Sequence, residues 1–134
     1  MRRDAREARA DVQVRGMFVD RLPRPLRLAL YGVATLILLA MCLVPQQDLP
    51  SAQMGDKIEH TIAWFILTGT GLLLSHQRPL AIGAYALGLG VLVEALQATL
   101  GFGRHGDWRD LVADSLGVAA ALAVYALVQR LRRR

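Results

Sequence analysis

LAIGAYALGLGVLVEALQATL, residues 80–100, holds one charge, Glu94, in twenty-one positions. A helix lying on a soluble core shows charged side chains every third or fourth residue along one face. Here small and aliphatic residues surround the axis, over the length that crosses a bilayer core of ~30 Å. Working outward, similar runs of roughly 17 to 21 residues recur, each long enough for a span. They cover about 27–44, closed by Pro45, then 56–75 and 108–128. The hydrophobic content of 54% is therefore clumped rather than periodic. The reading is an all-α, polytopic membrane protein with four transmembrane helices forming one domain over 25–134.

Residues 1–24 are charged and mixed in sign, a loose surface helix or a disordered leader, within which Met17 offers an alternative start. A net charge of +5 raises the question of nucleic acid, but the positive residues sit at the chain ends beside apolar segments. That placement fits anionic lipid rather than a nucleic-acid face. Thirteen of the sixteen basic residues fall on one side of a four-span arrangement, and only Lys57, Arg104 and Arg109 on the other. By the positive-inside rule both termini are expected in the cytoplasm, with the loops at 45–56 and 101–107 facing outward. Cys42 is the only cysteine, so no internal disulfide or cysteine zinc cluster forms. Leu39-Ala40-Met41-Cys42 loosely matches a lipoprotein cleavage box, but Met41 is not small and the basic leader is long, so an uncleaved helix is expected.

Ionisable groups near spans are costly, and here they gather. Asp56, Lys57, Glu59 and His60 open the second helix, Glu94 and Gln97 close the third, and Asp107, Arg109, Asp110 and Asp114 open the fourth. Arg104 and His105 lie in the loop between the last two. Asp56 with His60, Glu94 with Gln97, and Asp110 with Asp114 each share a helical face. Glu94 lies about six residues before its helix end, or ~9 Å inside, where it is expected to draw Arg104, Lys57 or His60 as partner. Plainer roles stand beside these. Asp56 with Glu59 reads as a capping box and Asp107 as a cap. Trp64 and Trp108 read as packing or interfacial anchors. His105 and Arg109 read as solvent-facing, and the whole set as a structural ion-pair network. Ala86-Gly90-Glu94 and Ala113-Gly117-Ala121 each repeat every four positions, and the alanines and glycines at that spacing are a helix-packing signal.

At these residues the chain resembles the VanZ-like family of small bacterial membrane proteins. Asp56-Lys57-Ile58-Glu59-His60 is similar to its D-K-x-x-H, and Glu94-Ala95-Leu96-Gln97 to its E-x-x-Q. Arg104 followed by Asp107-Trp108-Arg109-Asp110 is similar to its arginine and aromatic-x-D. Asp114-Ser115-Leu116-Gly117 is similar to its N-x-x-G, with aspartate where asparagine is commoner. The resemblance runs from about Pro45 to Ala121. The family is named for a protein linked to resistance to the glycopeptide teicoplanin, and the resemblance implies a cell-envelope role.

The leading expectation is an outward-facing polar pocket of Asp56, Lys57, His60, Glu94, Gln97, Arg104, Asp110 and Asp114 that binds or modifies a membrane lipid or a lipid-linked envelope component. In it Lys57 and Arg104 hold phosphate. The alternative is an enzyme with His60, Glu94 and Asp110 as acid–base candidates. A metal-dependent version would use His60 with Glu94, Asp110 or Asp114, and His105. No metallohydrolase, G-x-S-x-G or Walker signature is present, so neither cofactor nor metal is assigned. Ser115 reads as a packing residue rather than a nucleophile. A transporter is disfavoured, since the polar residues stop near one face. The oligomeric state is left open.

Overall fold

The computed structural model describes residues 18–45, 55–75, 78–100 and 106–134. The leader at 1–17, Arg104 and His105 lie outside the described residues. A short 3-10 turn, Phe18–Arg21, precedes four α-helices: α1 Arg24–Leu43, α2 Asp56–Leu74, α3 Pro79–Leu100 and α4 Trp108–Arg132. No strand occurs among the described residues.

Local chemistry sets the boundaries. Helix α1 begins three residues before the expected 27, because Pro23 caps it in extended backbone (φ −61°, ψ 145°) and Pro25 falls in its first turn. There the missing proline N–H leaves no helical bond unmade. Gly55 precedes α2 with a φ of +68°, left-handed backbone that glycine adopts without strain. The expected Asp56–Glu59 capping box is absent: Gly55 is the cap residue, and no side chain accepts an amide there. Asp107 does cap α4, its Oδ1 accepting the Arg109 amide at 2.9 Å. Helix α4 runs one turn beyond the expected 128 and takes in Arg130 and Arg132, cations suited to the negative end of the helix.

The helices alternate in direction. Gln97 Nε2, near the end of α3, donates to the Cys42 carbonyl near the end of α1 at 2.9 Å. Helices α2 and α4 both start at that same end and run side by side. They form the most extensive pair, through small residues. A Cβ at Gly117 would collide with the Thr61 carbonyl oxygen and lie 2.9 Å from the Phe65 amide nitrogen. Thr61 Oγ1 reaches across to the Ala113 carbonyl at 3.1 Å. Helix α3 closes the core, Trp64 Nε1 donating to the Ala86 carbonyl at 2.8 Å. Trp64, Leu67, Ala86, Leu89, Val93 and Val118 fill the centre.

The outside is apolar. Leu28, Leu36, Leu116 and Leu131 are all at least 60% exposed. Only 17% of the apolar window of α1, and 28% of those of α3 and α4, is buried inside the bundle. These three helices are long and apolar enough to cross a membrane, and so much unburied aliphatic surface suits lipid rather than water. Helix α2 carries Asp56, Lys57 and Glu59 in its first turn, so among the described residues three helices meet this length and apolarity where four spans were expected.

Candidate functional site

The end of the bundle where α1 and α3 finish and α2 and α4 start collects the polar side chains. Its organiser is Asp107. The Asp107 N–H donates to Glu94 Oε2 at 2.7 Å, so the third helix grips the start of the fourth. Close approach here depends on Gly106, where a Cβ would sit 2.9 Å from the Glu94 carbonyl oxygen. Asp107 Oδ2 accepts from Lys57 Nζ at 3.2 Å, and Asp110 Oδ1 accepts from the same ammonium at 2.6 Å. The Arg109 amide, and after it the Lys57 ammonium, holds the Asp107 carboxyl below the usual carboxylate range.

One turn deeper lies a second layer. His60 Nδ1 and Asp114 Oδ1 are 2.8 Å apart, with side chains 5% and 0% exposed. The imidazole stacks on Trp64, with 5.6 Å between centroids and 7° between planes. The spacing explains the layering. Lys57, His60 and Thr61 lie on the face of α2 that meets Asp110, Ala113 and Asp114 of α4, three or four residues apart on each.

The sequence-derived residues divide by this geometry. Lys57, His60, Glu94, Asp110 and Asp114 converge, with Asp56 beside them: Asp56, His60 and Asp110 offer ligand atoms within 4.8 Å of one another. Glu94 meets the Asp107 amide instead of Lys57, whose ammonium is held by two aspartates. Gln97 is buried and spends its amide nitrogen tying α3 to α1. Ser115 donates to Leu111 within α4. Trp64 is fully buried, a core ring rather than an interfacial anchor. Trp108 is 71% exposed, with the Arg109 guanidinium 5.8 Å from its ring. From sequence Asp107 stands among the gathered polar residues with a cap as its plainer role, and capping accounts for an aspartate there without calling on its second oxygen or its N–H.

Two acceptors stand out. Glu94 Oε1 and Asp114 Oδ2 are buried and have no hydrogen-bond partner among the described residues. Buried polar atoms are nearly always satisfied, so these oxygens mark where a donor or a cation fits. His60, Glu94 and Asp114 also place one ligand atom each within 4.8 Å of one another. One nitrogen and two carboxylate oxygens form a donor set suited to a divalent transition ion. With Nδ1 engaged by Asp114, Nε2 is the ring nitrogen left to exchange a proton.

Fold and site together define an all-α protein with membrane-length helices and a buried histidine–carboxylate centre at one end. No protein-family model matches the chain, and no curated protein or solved structure matches it.

Proposed function

We propose that this chain is a VanZ-like protein of the bacterial cytoplasmic membrane that binds or modifies the headgroup of a membrane lipid or lipid-linked envelope component in an outward-facing pocket. All four helices cross in this reading, with both termini cytoplasmic. Helix α2 has 19 residues. At 1.5 Å per residue that is about 28 Å, close to a bilayer core. Its charges occupy one end, at the level of the carboxylate centre, and the alternating helix directions leave no other end for them. The skew of basic residues supports the orientation.

The observation that carries the reading is the pair of buried acceptors, Glu94 Oε1 and Asp114 Oδ2. An unsatisfied buried polar atom costs ~1–3 kcal/mol, which a ligand bearing hydroxyl or ammonium donors recovers on binding. Lys57 is engaged by Asp107 and Asp110, so the complementary group is a donor-rich headgroup rather than a bare phosphate. The test is native mass spectrometry of protein extracted gently from its own membranes, wild type beside Glu94→Gln. A retained lipid-like species, lost in the folded variant, is expected. A bare, folded wild type would defeat the reading, and a retained divalent ion in place of a lipid would convert the site to a metal centre.

The His60–Asp114 pair favours a second reading, an enzyme acting on the same headgroup. Asp114 would orient the imidazole, Nε2 would exchange the proton, and Glu94 would serve as the second acid or base. Here His60→Gln keeps ligand binding and loses turnover, whereas in a pure binding protein it weakens retention.

A further inference from the structure

The opposite end of the bundle holds a different chemistry. Where α1 begins, α2 ends and α3 begins, a cavity of about 370 Å³ opens between the helices. That lies within the ~300–1,000 Å³ range of small-ligand sites. Arg24, Arg27 and Arg78 line it with Tyr31 and Ser75, and among the described residues no carboxylate does. Three guanidinium groups sharing one cavity repel one another unless an anion sits between them.

The cavity is built rather than incidental. Arg27 is anchored by one end of its fork, Nη1 donating to the Leu74 carbonyl at 3.1 Å. Its Nε is buried and, among the described residues, has no acceptor; the Tyr31 hydroxyl is likewise buried with no partner among them. Both belong to residues lining the cavity. The Tyr31 ring lies against α2 only because residue 71 is glycine: a Cβ there would be 2.9 Å from the ring and 2.8 Å from Ile82 Cγ2. An acceptor-rich anion satisfies the Nε and the hydroxyl together, and phosphate oxygens match the guanidinium fork. The N-terminal ends of α1 and α3 add positive dipole ends at the same level.

We propose that this cavity binds the phosphodiester of an anionic phospholipid from the leaflet at that end. Leu28 lines the cavity and is 61% exposed, offering an acyl chain an apolar edge beside the charged floor. Free phosphate shares the headgroup chemistry but has no use for that edge. The inference rests on reading the helices as membrane spans and is independent of the carboxylate centre.

The test uses the full chain in a zwitterionic detergent, titrated with short-chain phosphatidylglycerol, phosphatidylcholine or inorganic phosphate and read by native mass spectrometry. One tightly held phosphatidylglycerol is expected, weakened about tenfold or more by Arg27→Gln/Arg78→Gln, the loss of one or two charge-assisted bonds. Arg132→Gln/Arg133→Gln removes equal charge from the tail and is expected to leave that affinity unchanged. Equal weakening by both pairs, or equal binding of phosphatidylcholine, overturns the proposal, as does phosphate displacing the lipid at comparable concentration. If the pocket pair does not fold, Tyr31→Phe, which removes one hydroxyl, must still weaken phosphatidylglycerol several-fold, and an unchanged affinity rejects the site. Recovery of the wild type in the soluble fraction without detergent would instead overturn the membrane reading on which the inference stands.

Discussion

Asp114 shows most clearly how a side chain's place decides its chemistry. Its carboxylate is wholly inaccessible, one oxygen on His60 Nδ1 and the other without a partner among the described residues. Truncation with Asp114→Ala strands the buried imidazole nitrogen, a cost of ~1–3 kcal/mol. Asp114→Asn keeps an acceptor for His60 and is expected to melt closer to wild type in detergent. Equal melting points for the two variants would remove the His60–Asp114 bond from the account. Asp107 supports a pH prediction of definite sign. Its carboxyl is held low by the Arg109 amide and Lys57, so its stabilising contribution is present above the unfolded value of about 4 and disappears as pH falls through the lower folded value. Asp107→Asn should therefore lose stability at neutral pH and show a shallower acid-induced loss than wild type. Parallel acid profiles would count against the interaction. From sequence, the charged residues were legible as a group, because their rarity against an apolar background singles them out. Their pairing was not: Glu94, Lys57 and Asp110 each had several partners within reach, and only side-chain direction chose among them.

At the scale of elements, the pairing of α2 with α4 holds the site together. The repeat of Ala113, Gly117 and Ala121 announced a close helix contact without naming its partner, and the structure supplies α2. Gly117→Ala places a methyl against the Thr61 carbonyl and the Phe65 amide, backbone atoms that cannot swing aside. A cost of about 1–3 kcal/mol is expected from such overpacking, with the Lys57 and His60 contacts loosened as the helices part. Gly88, mid-helix, is the control, since a methyl added there would meet nothing within 4 Å. Gly88→Ala should be neutral or stabilising, by up to about 1 kcal/mol. Thermal melting of both variants in one detergent checks the contrast, and a Gly117→Ala protein as stable as wild type would contradict the contact. Helix boundaries were readable to within a turn wherever glycine, proline or aspartate marked them. The α4 end was the exception: its arginines read as a tail because charge ends an apolar run, although nothing in arginine ends a helix.

For the whole molecule, the decisive question is whether α2 crosses a bilayer beside the three helices that are long and apolar enough to do so. Single cysteines placed at residues 51 and 77, with Cys42→Ser as background, should label from opposite sides of intact membranes. Labelling from one side only would leave α2 as an interior or re-entrant helix and collapse the four-span reading. The all-α character and the membrane-length helices were determined by the sequence alone, because uninterrupted apolar runs of that length have few other stable environments. So was the gathering of polar residues at helix ends, since a span confines charge to its limits. Only the tertiary structure decided which helix faces meet. That choice placed Lys57 between two aspartates, set Gln97 against α1, and left Glu94 Oε1 and Asp114 Oδ2 with no donor among the described residues. It also folded Arg24, Arg27 and Arg78, separated along the chain, around one cavity. The physical reason is that periodicity specifies a side chain's height and angle on its own helix, while its neighbour depends on the rotation and separation of two helices, which close packing at Gly71, Gly106 and Gly117 sets.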